Sequence, residues 1–171
     1  MTTEFHHISL LADLAEAVPV LAEWICRTWP QDCDPGPDAA ARQISRWCGR
    51  DSLPMALIAC DPHGAPLGFA GLVPGLSPQR QDIVLLSTLL VVPLARRRGI
   101  GRSLCTEARV RAAQLGVPVL HLYTLDRHAF FRLLGWRLLS HAIVGAPNRP
   151  RGAAFMQIDT AATPTEEGHD E

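Results

Sequence analysis

Val91-Val92-Pro93-Leu94-Ala95-Arg96-Arg97-Arg98-Gly99-Ile100-Gly101 carries an apolar strand into an arginine- and glycine-rich turn. Beyond it, Ile100, Leu104, Ala108, Ala112 and Leu115 recur at helical spacing, with Arg102, Glu107, Arg109 and Arg111 between them. That periodicity makes the turn the start of an amphipathic helix. A helix start presents N–H groups with no intrahelical acceptor and the positive end of the macrodipole, and glycine lets a ligand approach the backbone closely. Gly99 and Gly101 therefore mark a candidate phosphate site.

Three glycine-turn designs compete for this stretch. A Walker turn ends in Gly-Lys-Ser/Thr, and the chain has no lysine, which excludes it. A dinucleotide fingerprint requires a third glycine at a set offset, but Ser103 and Leu104 follow Gly101 and the next glycine is Gly116. The remaining pattern, Arg-x-x-Gly-x-Gly after a Val-x-Pro strand end, closely resembles the acyl-CoA pyrophosphate loop of the GNAT superfamily of N-acetyltransferases. A second segment, Leu122-Tyr123-Thr124-Leu125-Asp126-Arg127-His128-Ala129-Phe130-Phe131-Arg132-Leu133-Leu134-Gly135-Trp136, resembles the family's next motif. There a strand ends near the cofactor and a short helix closes on aromatic-x-x-x-Gly-aromatic. The two motifs stand in the family's order, one helix and one strand apart.

With 171 residues, 47% of them hydrophobic, the chain has enough apolar material for one sizeable core. One domain over 1–160 is expected, followed by an acidic tail over 161–171 that lacks periodicity and is expected to be disordered. The net charge of −1 argues against a general nucleic-acid binder, yet six of the 16 arginines lie between Arg96 and Arg111. Such a local cluster suits the phosphates of a small ligand, a solvated helix face being the alternative. Cys26, Cys33, Cys48, Cys60 and Cys105 are odd in number, unevenly spaced and without a Cys-x-x-Cys pair, so buried thiols are expected, with neither a disulfide framework nor a metal site. No signal-peptide pattern and no apolar run of membrane-spanning length appear, which makes a cytoplasmic protein without a membrane partner the expectation.

Along the chain, Phe5–Leu10 reads as a first strand and Asp13–Trp29 as a helix that Pro19 breaks or restarts. Asp38–Arg50 reads as a second helix after the loop Gln31–Pro37. Trp24, Trp29 and Trp47 in this region are either core aromatics at helical spacing or walls of an acceptor pocket. Met55–Cys60 and Leu67–Leu72 form a hairpin across Asp61-Pro62-His63-Gly64, followed by a loop from Pro74 to Gln81. Ile83–Val92 is strand four and Val117–Thr124 strand five. Gly135–Val144 and Ala153–Ile158 close the sheet as a terminal hairpin.

The resemblance implies an α/β (α+β) GNAT fold: a mixed, mostly antiparallel sheet of six to seven strands flanked by about four helices, with strands four and five splayed at the cofactor. It implies acetyl-CoA as cosubstrate without a metal, and a primary amine on a small molecule, peptide or protein N-terminus as acceptor. It leaves open whether the chain is a monomer or a homodimer. Leu90, Val91 and Val92 take the position along the pantetheine arm, with Thr124 and Phe131 beside the cofactor. Backbone N–H groups from Arg97, Arg98, Gly99, Ile100, Gly101 and Arg102 take the pyrophosphate, and the Arg96 and Arg98 side chains add charge. Ser103 adds a hydroxyl or serves as an ordinary first-turn residue of the helix.

One departure stands out. The family often protonates the departing thiolate with a tyrosine four residues before the motif's glycine, and here Phe131 stands there. Tyr123 and His121 are the replacement candidates, since Val119, His121 and Tyr123 alternate onto one strand face. The other reading makes that face a helix-packing surface, with both residues in the core. Strand four has no glutamate to act as base, so Ser87, Thr88, a water or a backbone carbonyl must assist. These two absences motivate the alternative of a catalytically silent domain that binds acyl-CoA as a sensor or interaction module.

Overall fold

The computed structural model describes residues 6–75 and 82–161. Phe5, most of the loop expected over Pro74–Gln81 and nearly all of the expected tail lie outside the described residues. The strands are β1 (His7–Leu10), β2 (Met55–Cys60), β3 (Pro66–Pro74), β4 (Val84–Val91), β5 (Val119–Thr124), β6 (Arg137–Val144) and β7 (Arg151–Asp159). The helices are α1 (Val18–Thr28), α2 (Pro37–Ile44), α3 (Ile100–Gln114) and α4 (His128–Leu133). All seven strands form one sheet in the order β1-β2-β3-β4-β5-β7-β6. Only the β4–β5 pairing is parallel.

The sheet buries both faces, each against helices of different origin. On one face α3 lays Ile100, Leu104, Cys105, Ala108 and Ala112 against Leu57, Leu72, Leu86, Leu120, Leu122 and Met156. Full burial of each such Leu or Ile side chain contributes about 1.5–3 kcal/mol. Cys105 lies so deep in this layer that desolvation pushes its thiol up to about 12. On the other face, Val18, Leu21 and Ala22 of α1 and Ala40 and Ile44 of α2 cover Ile58, Phe69, Leu85, Leu90 and Phe155.

The first half departs in detail from its periodicity. Two short 3-10 turns, Leu11–Asp13 and Ala15–Ala17, precede α1, and Pro19 sits in the first turn of α1, where its missing N–H costs nothing. The second helix ends at Ile44, not Arg50: Ser45 N–H still bonds to Ala41 O, but the Arg46 and Trp47 N–H groups turn back onto Gln43 O and Ile44 O, and the chain leaves the helix. Trp47 then lies buried with its ring against Gly71, in the core. Trp24 and Trp29 are half-buried against the α1/α2 layer. The cysteines also differ from expectation: the 3-10 turn Pro30–Asp32 brings Cys33 back to Cys26, their Cα atoms 5.0 Å apart, and the two form a disulfide. Cys48 is exposed; Cys60 and Cys105 are the buried thiols.

Candidate cofactor cleft and acceptor face

The strand pairing itself opens a gap in the middle of the sheet. β4 and β5 pair only at Val84 with Leu120 and at Leu85 with His121, yet β4 runs on to Val91 and β5 to Thr124. Beyond the last pair, β4 carries a bulge. Phe69 faces Leu90 and Gly71 faces Ser87, so Thr88 and Leu89 share the place opposite the single residue Ala70. Thr88 has φ 54°, a left-handed conformation that a β-branched side chain rarely adopts. Backbone strain of this kind costs on the order of 1–3 kcal/mol and concentrates at functional sites. The Ser87 and Thr88 hydroxyl oxygens lie 3.1 Å apart beside the bulge.

The last residues of β4 divide their polar groups between the two sides. Val92 donates its N–H to Leu67 O at 3.0 Å, and Leu90 faces Phe69 in the same ladder, so both residues spend their backbone on β3. By alternation the Val91 N–H and C=O point the other way, into the gap. The Arg96 Nε donates to that Val91 carbonyl at 3.0 Å. Of the trio Leu90, Val91 and Val92, only Val91 therefore turns its backbone N–H toward the gap. Gly68 makes this geometry possible, because a β-carbon there would stand 2.6 Å from Leu90 O and 3.2 Å from Val91 Cα.

At the open end of the gap, Pro93–Ala95 form a 3-10 turn and the arginines follow. Arg97 and Gly99 both take positive φ, 61° and 77°, and Gly99 caps α3. Left-handed residues next to a helix start curl the backbone N–H groups into an anion-binding concavity. Ser103 N–H already bonds to Gly99 O, so Ile100, Gly101 and Arg102 are the first-turn residues with no intrahelical acceptor. The Ser103 hydroxyl also donates to Gly99 O, at 3.1 Å, as a first-turn helix residue does. Phe130 and Val91 floor the turn under Gly101. The arginine cluster splits in two: Arg96, Arg97, Arg98 and Arg102 are exposed around the turn, whereas Arg109 donates to Asp159 O and Arg111 pairs with Glu107 at 2.9 Å.

The remaining predicted residues fall on opposite faces. Thr124 is buried, and its Oγ1 accepts the Arg127 N–H, shaping the turn into α4. Phe131 is buried on the α3 side, its ring edge-on to Phe130 and Trp136 with centroids 5.1 Å and 5.8 Å away. Tyr123 and His121 face the α1/α2 side, where both stack on Phe155, at 4.7 Å and 5.3 Å. His121 sits at the last β4–β5 pair, and Tyr123 two residues further on, beside the gap. Sequence reasoning missed Phe155, the shared platform for both rings. It also missed the Arg151–Asp32 ion pair, at 2.7 Å, which ties β7 to the loop after α1. Neither had a local signal, because each joins segments distant in sequence.

A seven-stranded sheet whose middle strands β4 and β5 part, with a glycine-capped helix start at the mouth of the gap, frames an open cleft. Residues 18–136 match the model of the Acetyltransferase (GNAT) family. The chain belongs to that family. Solved structures with the same fold include an aminoglycoside 6'-N-acetyltransferase complexed with coenzyme A, at 17% identity and a TM-score of 0.71, covering 92% of this chain and 99% of that one. The aminoglycoside 6'-N-acetyltransferase from Enterococcus faecium has 18% identity and a TM-score of 0.68, with coverage of 92% and 99%. The Salmonella typhimurium protein yncA, solved with its cofactor acetyl-CoA, has 19% identity and a TM-score of 0.69, with coverage of 93% and 96%. At these identities the likeness establishes the fold. Among the described residues no helix is long and apolar enough to cross a membrane.

Proposed function

We propose that the protein transfers the acetyl group of acetyl-CoA to a primary amine of a small molecule or peptide. The observation that carries the reading is the joint placement of the strand gap and the arginine-glycine turn. One offers a strand edge at Val91 whose N–H β3 does not use, the other an anion cradle at the head of α3. A pantetheine arm fits such an edge as an added strand fits a sheet, and a pyrophosphate fits first-turn N–H groups beside Arg97, Arg98 and Arg102.

In the reaction a neutral amine attacks the thioester carbonyl, the C–N bond forms, the C–S bond breaks, and the thiolate takes a proton. The bulge at Thr88 and Leu89 supplies backbone N–H groups for the carbonyl oxygen as negative charge develops there. The Ser87 and Thr88 hydroxyls orient an ordered water that relays the proton the amine loses to solvent. Tyr123 is the acid for the thiolate, standing by the gap on the α1/α2 face with a hydroxyl where Phe131 has none. A thiol has an ordinary pKa near 8.5, so the thiolate leaves tolerably unaided and the acid contributes up to on the order of 10²-fold.

Thiol release from acetyl-CoA over a panel of primary amines tests the reading, with calorimetric binding of coenzyme A alongside. Release with at least one amine supports it. Tight coenzyme A binding with no release across the panel supports instead the silent acyl-CoA module that Phe131 motivates.

A further inference from the structure

We infer that Arg96 is a latch on the strand edge that sets which acyl carrier the cleft takes, an assignment that deepens the acetyl-CoA reading above and rests on it. In the free protein its guanidinium covers the Val91 carbonyl. The edge opens to a pantetheine arm when the same ligand brings a phosphate that takes the guanidinium in exchange. The cleft thus favours coenzyme A thioesters over pantetheine thioesters that carry no phosphate.

The geometry of the edge carries the argument. Val91 turns both its N–H and its C=O into the gap, and a segment added there as a strand uses both, as neighbours in a ladder do. The C=O is already taken, because Arg96 Nε donates to it at 3.0 Å, the length of an ordinary hydrogen bond. A group that donates to a carbonyl directed into the gap itself stands in the gap. The planar guanidinium, with two further nitrogens beyond Nε, is also wider than the single amide N–H an arm would place there. Arg96 is rooted beside the strand end it covers, since its own N–H returns to Pro93 O at 3.3 Å across the 3-10 turn Pro93–Ala95.

The side chain is equally placed to leave. It is exposed, and among the described residues Val91 O is the acceptor that holds it. A hydrogen bond open to water is worth little net, so it can be exchanged. The destination is close: a β-carbon at Gly101 would stand 3.9 Å from Val91 Cγ2, which puts the first turn of α3 and the strand edge within reach of one arginine side chain. A phosphate there offers the guanidinium a charge-assisted, two-pronged bond, stronger than the neutral carbonyl it gives up. A ligand without phosphate must displace the guanidinium into solvent, and its apparent affinity falls by the fraction of molecules in which the edge is covered.

Calorimetric titration of coenzyme A and of S-acetylpantetheine, its phosphate-free counterpart, tests the exchange. Arg96→Ala removes the latch and the phosphate partner together. It should bind S-acetylpantetheine about 2- to 10-fold more tightly than the parent and coenzyme A about 10-fold more weakly. Arg96→Gln places an amide nitrogen at the chain position of Nε, so it keeps the cover on Val91 O without the charge; S-acetylpantetheine should bind as to the parent and coenzyme A more weakly. Inorganic pyrophosphate, at constant ionic strength, should raise the affinity of the parent for S-acetylpantetheine several-fold and leave that of Arg96→Ala unchanged, because the two ligands are coupled through one side chain. A purely structural role for Arg96 weakens both ligands together and abolishes neither coupling nor preference selectively. Failure of Arg96→Ala, at the parent's melting temperature, to bind S-acetylpantetheine more tightly overturns the inference and leaves the acetyl-CoA reading standing. Absence of coenzyme A binding to the parent overturns that reading, and the inference with it.

Discussion

The arginine-glycine end of the cleft and the acceptor face are built by opposite means. The first is nearly continuous in sequence: β4, the turn and the start of α3 are consecutive, and the function proposed for them falls on the backbone, through Val91, Gly99 and the first-turn N–H groups. The second is assembled from side chains brought together over long separations. Tyr123 meets Phe155, and Arg151 meets Asp32 across 119 positions. A backbone site restricts which residues are admissible locally, because only small or turn-forming residues permit its geometry, and so it leaves a readable signature. A side-chain site restricts only which residues meet after folding.

The largest expected effect breaks the first region alone. Gly101→Asp places a carboxylate where the pyrophosphate belongs. Lost charge-assisted hydrogen bonding together with an added like charge should weaken coenzyme A binding by on the order of 10²-fold or more. Size is not the cause, since a β-carbon at Gly101 would meet Phe130 Cζ at 3.4 Å and Val91 Cγ2 at 3.9 Å, both ordinary contacts. Gly101→Ala should therefore bind far better than Gly101→Asp in a calorimetric titration. Unchanged affinity in a folded Gly101→Asp variant removes the pyrophosphate assignment.

A change in the second region should spare binding and reduce turnover. Tyr123→Phe is expected to leave coenzyme A affinity intact and to lower kcat by up to about 10²-fold, with a flattened pH profile, if the hydroxyl protonates the thiolate. Phe131→Tyr, which returns the family's hydroxyl from the α3 side, should keep or raise turnover and should rescue Tyr123→Phe. If Tyr123→Phe changes neither kcat nor its pH dependence, Tyr123 is a core aromatic stacked on Phe155 and the thiolate leaves without it.

Smaller still is the effect of Gly68→Ala, which probes how the two regions are joined. Its β-carbon cannot stand 2.6 Å from Leu90 O, so the end of β4 must move away from β3, toward the gap. Overpacking against backbone of this kind costs typically 1–3 kcal/mol, a fall of several degrees in melting temperature for a chain of this size. Coenzyme A affinity should fall with it, because Val91 moves. A variant that loses stability while keeping full affinity separates the strand edge from the ligand.

The uneven legibility of the molecule has the same cause. The order of strands and helices and the start of α3 followed from apolar periodicity and glycine spacing, which are local, while the parting of strands four and five was implied by the family resemblance that those local motifs carry. The end of α2 did not, because the apolar pattern runs on to Arg50 while the chain turns after Ser45 and seats Trp47 in the core against Gly71, a contact distant in sequence. The Cys26–Cys33 disulfide was invisible in an unpaired cysteine count, since its formation depends on one 3-10 turn. Ser103 shows the limit from the other side: its position suited a phosphate and a helix turn equally, and its hydroxyl is engaged by Gly99 O.

The smallest expected effect tests whether anything beyond the sheet supports either region. Thr160 is tied to the start of β5 by three bonds: its N–H donates to Pro118 O at 3.0 Å, and its hydroxyl to Val117 O at 2.6 Å and Pro118 O at 3.1 Å. Residues 161–171 are acidic and lack an apolar face to bury. Truncation after Thr160 should therefore leave both the melting temperature and coenzyme A affinity within error. Truncation after Asp159 removes the three bonds and should cost about 1–3 kcal/mol, read as a fall of several degrees, because the Val117 and Pro118 carbonyls lose their donors. A drop of several degrees in the truncation after Thr160 would show that the tail docks, and the position of the restored signal in a series of shorter deletions would locate the contact.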